Sequence, residues 1–244
     1  MDFTLTVWVA APLTAVFAYM VFGLTGFGST VIMVPALAYF LPLHLVVPLV
    51  LLLDLAAAVF LRRSGAPQRD HAEVRRILPF MLSGMLLGVL LLARAPERWL
   101  LLFLGLFIAL VGVYGIVARA RAAPIAPGWV VPAGFIGGIA SGLYGTGGVI
   151  FAMYAVRRID DPGQLRGAMA TLIAISAVVR LVLFLIAGLM LEAELWLAWL
   201  ALLPCVWVGL RLGMRWHAGV DIAKMRMAVN LLLVAGGVGL ALRA

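Results

Sequence analysis

Six long apolar runs, at roughly 45–61, 77–93, 99–117, 167–188, 194–210 and 227–242, follow one another along the chain. Each is long enough to cross the hydrocarbon core of a bilayer, some of them with tilt or local thinning. A soluble fold of 244 residues has no interior that would take them all, because a domain of that size leaves much of its surface wet. With 66% of residues hydrophobic and 11% charged, the composition also excludes disorder, collagen, coiled coil and a disulfide scaffold. The chain reads as an all-α polytopic membrane protein.

Two further apolar stretches, 7–41 and 129–156, are too long for one comfortable helix and short for two. Glycine breaks both in the middle, at Gly23-Leu-Thr-Gly-Phe-Gly-Ser-Thr30 and at Gly142-Leu-Tyr-Gly-Thr-Gly-Gly148. Glycine weakens a helix and permits a tight reversal. Residues 1–6 carry Asp2 and no basic residue, so no cleavable signal peptide is expected and the first apolar stretch is read as part of the mature protein.

The basic residues decide how the two broken stretches count. If each crosses once, eight basic residues fall on one side and nine on the other, with Arg180 inside a span. If each is a hairpin returning to its own side, one side holds 14: Arg62, Arg63, Arg69, Arg75, Arg76, Arg119, Arg121, Arg157, Arg158, Arg166, Arg211, Arg215, Lys224 and Arg226. The other side holds three, Arg94, Arg98 and Arg243. The positive-inside rule selects the hairpins, with the basic loops cytoplasmic and both termini outside. The net charge of +8 is thereby a matter of loop placement and points away from nucleic acid. Cys205 has no partner for an internal disulfide, and His44, His71 and His217 lack metal-ligand spacing. Neither a metal nor another cofactor is expected.

The chain also repeats itself. Gly23-Leu24, Gly26 and Gly28 align with Gly142-Leu143, Gly145 and Gly147 at an offset of 119. Pro79, Gly84 and Gly88 align with Pro204, Gly209 and Gly213 at 125, as does Gly112-Val113 with Gly237-Val238. The expected organisation is a first repeat over 1–117, a cytoplasmic linker over 118–128 and a second repeat over 129–244. Each repeat is one glycine-broken hairpin plus three spans. Three net crossings is odd, so the second repeat is inverted. Inverted repeats with interrupted helices in matching positions are a recurrent transporter design. A broken helix offers free N–H groups at a half-helix start, which suit an anion.

The segment Ala140-Ser-Gly-Leu-Tyr-Gly-Thr-Gly-Gly148 resembles the repeated glycine-rich motif of the TauE/SafE membrane transporters, also called the toluene-sulfonate uptake permease family. The first copy, Gly23 to Pro35, is similar, with Ser29-Thr30 replacing further glycines. The second copy departs from the pattern where Met153-Tyr154 stands in place of a closing proline. The resemblance implies export or uptake of sulfur-containing anions such as sulfite or organosulfonates.

The candidate substrate-binding residues are the two breaks and their neighbours. They are Thr25, Gly26, Phe27, Gly28, Ser29 and Thr30 in the first copy, and Tyr144, Gly145, Thr146, Gly147 and Gly148 in the second. Their hydroxyls can donate to an oxyanion without a fixed charge. Arg180 and Asp54 are intramembrane charges, each costly unless it meets a partner or a wet cavity. They read either as a structural ion pair, or as an anion-attracting arginine with an aspartate that holds it or carries a coupling proton. Ser176 lies four residues from Arg180 and shares its face. Gly84, Gly88, Gly209 and Gly213 read as close helix packing.

The leading function is a secondary transporter of a small anion, working by alternating access between inverted halves in the cell membrane. A coupling proton or ion and a homodimer stay open. A membrane-embedded enzyme is the second class, but no metal triad, nucleophile–base pair or Gly-x-Ser-x-Gly is present. A non-transporting accessory membrane protein is the third.

Overall fold

The computed structural model describes residues 5–25, 28–61, 71–117, 125–216 and 222–243. Among the described residues the regular structure is helical. In chain order the helices are α1 (Leu5–Thr25), α2 (Ser29–Ala38), α3 (Leu43–Leu61), α4 (His71–Arg94) and α5 (Glu97–Val117), then α6 (Val130–Tyr144), α7 (Gly147–Ala155), α8 (Pro162–Ile186), α9 (Ala193–Trp216) and α10 (Ile222–Arg243). A 3₁₀ turn, Pro127–Trp129, leads into α6.

Every apolar run of the sequence is a helix, and five helices are long and apolar enough to cross a membrane. They expose large apolar side chains, including Leu110 on α5, Ile186 on α8 and Leu197 on α9. Such faces need lipid as their solvent. Both glycine-broken stretches are a helix, a break and a short helix. At 1.5 Å per residue, the 10 residues of α2 and the nine of α7 reach about half the hydrocarbon thickness. Each break contains a left-handed glycine, Gly28 (φ 99°) in the first and Gly145 (φ 76°) in the second. After Gly145 the chain doubles back. The ring of Phe151 on α7 fills the space over Gly137 on α6, and Gly147 lies against the Gly137 carbonyl.

The chain forms two compact units, and both draw on both halves of the sequence. The first contains α1, α2, α3, α5, α9 and α10; the second contains α4, α6, α7 and α8. In the first unit α1 packs on α9 and α5 on α10; in the second α4 packs on α6.

The close contacts in these helix pairs are made by the aligned glycines. In the second unit, a Cβ on Gly84 would strike the Phe135 carbonyl, and one on Gly88 would lie 2.6 Å from the Ile139 carbonyl and 3.1 Å from the Gly142 Cα. In the first, a Cβ on Gly209 would lie 2.5 Å from the Val16 carbonyl. One on Gly213 would strike the Met20 carbonyl and lie 3.1 Å from the Gly23 Cα. These are backbone atoms, which cannot move aside, so only glycine fits such approaches. Residues 135, 139 and 142 are residues 16, 20 and 23 shifted by 119. The α5–α10 pair is reciprocal. Gly112 abuts Asn230 and Val234, and Gly237 abuts Gly105 and Ala109, so the two helices run antiparallel. The small-residue packing expected at Gly84, Gly88, Gly209 and Gly213 is what these helices do.

Candidate functional site

Polar side chains gather at the break of each unit. In the first unit Asp54 sits midway along α3. Its Oδ1 accepts from Tyr19 Oη on α1 at 2.8 Å and from Ser29 Oγ at 2.7 Å, and its Oδ2 accepts from Thr30 Oγ1 at 2.7 Å. Ser29 and Thr30 form the first turn of α2, immediately after Gly28, and both are buried. Three hydroxyl donors on one carboxyl match the ionised form, which only accepts. The left-handed glycine turns the chain so that two successive hydroxyls at a helix start face one carboxylate on the neighbouring helix.

In the second unit the corresponding break holds Tyr144, Gly145, Thr146, Gly147 and Gly148. Tyr144 and Thr146 are buried, and Thr146 Oγ1 bonds the carbonyl of Ala140. The N–H groups of Gly145 and Thr146 close back on the carbonyls of Ser141 and Ala140, which ends α6. Gly148, at the start of α7, is open: an added Cβ would meet only Ile173 of α8, at 4.0 Å. On α8, Ser176 and Arg180 are each 5% exposed. Ser176 Oγ lies 2.5 Å from Ser141 Oγ on α6, and Arg180 Nη1 donates to the Ser141 carbonyl at 3.4 Å. The one-turn spacing of Ser176 and Arg180 thus brings both onto the same residue of α6.

Gly26, Phe27 and the side chain of Thr25 lie outside the described residues. The expected linker over 118–128 lies partly outside them, with Arg119 and Arg121, and Arg62, Arg63 and Arg69 lie outside them too. Tyr19 and Ser141 complete the two clusters. Ser141 lies inside the second glycine motif, whereas Tyr19 stands in an apolar helix with no local pattern to mark it.

A further cluster joins the C-terminal end of α7 to the start of α4. Glu73 accepts from Tyr154 Oη at 2.7 Å, Arg76 at 3.0 Å and Arg158 at 3.2 Å, and Arg158 Nη1 also donates to the Ile125 carbonyl. Its own hydrogen bond to Glu73 holds the Arg158 guanidinium above its already high ordinary pKa. The tyrosine that departs from the proline pattern is therefore a structural tie. At other helix ends, Glu97 accepts from the Leu43 N–H, His44 lies 3.9 Å from Glu192, and Arg243 donates to the Tyr39 carbonyl.

Spanning helices, two half-length helices set off by left-handed glycines, and polar clusters at both breaks define a multi-pass membrane protein of transporter type. The family described as sulfite exporter TauE/SafE matches residues 11–240, and the chain belongs to it. It is 30% identical over 193 residues to the probable inner membrane transporter protein TsaS of Comamonas testosteroni, an alignment covering 79% of this chain and 81% of that relative. No solved structure matches the chain. The family and this relative make it a membrane transporter, with a small-molecule substrate and a lipid surrounding, and point away from an enzyme.

Proposed function

We propose that the protein is a secondary transporter of small sulfur-containing or organic anions, such as sulfite or an organosulfonate, working by alternating access between inverted halves. The observation that carries this reading is the buried cluster of Ser141, Ser176 and Arg180 beside the Gly145 break. It combines a guanidinium, two hydroxyls and the start of α7, a half-helix N-terminus of the kind that suits an anion. An anion held there meets a full positive charge and neutral donors together. Gly145, Thr146, Gly147 and Gly148 supply the backbone of this site. Gly28, Ser29 and Thr30 act at the other break through Asp54, which holds that helix start and is the candidate for a coupling proton.

Inversion is supported by the antiparallel, reciprocal contacts of α5 and α10, the last helices of the two halves. The hairpin topology is supported by which helix ends meet. Glu73 bonds Arg158, His44 approaches Glu192, and Tyr39 bonds Arg243. If each broken stretch crossed once, all three pairs would join opposite faces of the bilayer. With hairpins each pair shares a face, and the charge asymmetry makes the face of Glu73 and Arg158 cytoplasmic.

The test is flux of radiolabelled sulfite, an arylsulfonate and chloride into proteoliposomes, with and without a pH gradient. Saturable flux of the sulfur anions, and little of chloride, is expected. Flux of none of them would remove the reading.

A further inference from the structure

A cleft of about 500 Å³ opens in the first unit between α1, α2, α5 and α10. Its wall is apolar: Phe17, Ile32, Ala36, Ile108, Leu233 and the bare backbone of Gly236. Leu13 and Leu232 stand exposed at its rim, so it opens onto the surface that faces lipid. The volume is that of a ligand-sized pocket, and the wall suits a hydrocarbon chain. An added Cβ at Gly236 would meet nothing within 4 Å, so the space over that glycine is not used for helix packing. In this it differs from Gly237 beside it, which lies against the backbone of α5.

A charge lies beside the cleft, held on one of its lining residues. Tyr39 lines the cleft and is fixed by donating from its hydroxyl to the Gly236 carbonyl at 3.2 Å. The Arg243 guanidinium lies 5.8 Å from the Tyr39 ring centroid and donates through Nη1 to the Tyr39 carbonyl at 2.6 Å. Arg243 is exposed and ends the apolar helix α10, which is the level at which a phospholipid phosphate lies. A guanidinium has five N–H donors in a fork that fits phosphate oxygens.

We propose that this cleft is a binding site for one anionic phospholipid, with an acyl chain along Ile32, Ala36 and Gly236 and the phosphate on Arg243. Charge complementarity selects a lipid over a second copy of the chain. Nothing anionic needs to enter the apolar part, so the site is separate from the anion site at Gly145.

The experiment uses the full chain purified in detergent. Thermal unfolding is followed after addition of phosphatidylglycerol, phosphatidylcholine with the same acyl chains, or inorganic phosphate. Native mass spectrometry follows retained lipid. Phosphatidylglycerol should raise Tm by several degrees, phosphatidylcholine by less, and phosphate by nothing. Gly236→Leu puts a side chain into the cleft from a position where a Cβ meets nothing within 4 Å, and should abolish both lipid responses and the retained lipid. Arg243→Gln should erase only the preference for phosphatidylglycerol. The proposal fails if the two lipids act equally on the wild type, or if both variants keep its response. It fails equally if Gly236→Leu turns a dimer into a monomer and leaves bound lipid unchanged, since the occupant is then a second copy. These outcomes do not depend on anion flux.

Discussion

Thr30 Oγ1 donates a 2.7 Å hydrogen bond to Asp54 Oδ2, tying the first turn of α2 to the middle of α3. With Ser29 and Tyr19 on Oδ1, the carboxylate anchors the short helix that the Gly28 turn sets off. Asp54→Asn puts a donor where an acceptor is needed, and hydrogen bonds to a charged group contribute about 1.5–3 kcal/mol each. A Tm several degrees lower is expected, with Tyr19→Phe costing less because it removes a single hydrogen bond to the carboxylate. Thermal unfolding in detergent checks this, and an unchanged Tm for Asp54→Asn would contradict the anchoring role. If Asp54 also carries a coupling proton, the Asn variant, assayed where it is folded, loses its response to a pH gradient.

The position of α2 was legible in the sequence because the signal is local: glycines interrupt an otherwise apolar stretch, and glycine is what a left-handed turn requires. The spanning helices were equally legible, since length and hydrophobicity set them residue by residue. The hydroxyl partners of Asp54 were not. In an apolar helix charge is the one signal that stands out, so the sequence points to Arg180 and is silent on hydroxyls. The three hydroxyls come from α1 and α2, 24 to 35 residues earlier, and no periodicity links them. The pairing of α4 with α6 and of α1 with α9 was hidden for a similar reason. Gly84 and Gly209 announce a close neighbour without saying which one, and shape complementarity over the whole helix decides it.

Two kinds of glycine should fail differently on substitution. Gly145 has φ 76°, so Gly145→Val forces a β-branched residue into the left-handed region at a cost of about 1–3 kcal/mol. Membrane insertion should survive while flux is lost, because the turn that presents α7 is displaced. Gly88→Leu instead drives a side chain into the Ile139 carbonyl and separates α4 from α6. Its folded yield should collapse. Size-exclusion profiles and flux measured on both proteins check the contrast, and a monodisperse Gly88→Leu with wild-type Tm would contradict the packing assignment.

Topology is open to direct labelling. In a background lacking Cys205, single cysteines at Ala123 and Asp160 should be protected from a membrane-impermeant maleimide in intact cells. Those at Arg98 and Glu192 should react. The expectation rests on the 14-to-three division of basic residues and on Glu73 meeting Arg158 while His44 meets Glu192. Labelling of both 123 and 160 from outside would invert the assignment. Opposite behaviour of the two would mean that 129–156 crosses once.

Arg180 separates a structural role from a substrate role. The residue is 5% exposed, its guanidinium bonds the Ser141 carbonyl, and it lies one turn from Ser176, whose hydroxyl meets that of Ser141. An intramembrane arginine costs several kcal/mol unless compensated, by about 2.5–3.5 kcal/mol on insertion scales. On the substrate reading, that charge is kept for the anion rather than for the fold. Arg180→Ala should cut anion flux strongly at nearly unchanged Tm, and Arg180→Lys should retain part of it, because lysine keeps the charge and loses the fork. If Arg180 mainly balances Asp54, Arg180→Ala should instead lower Tm by exposing an uncompensated carboxylate, and adding Asp54→Ala should restore both stability and flux. Tm and flux measured on the wild type, the two alanine variants and their double decide between these. A stable double variant with full flux would remove Arg180 from the anion site.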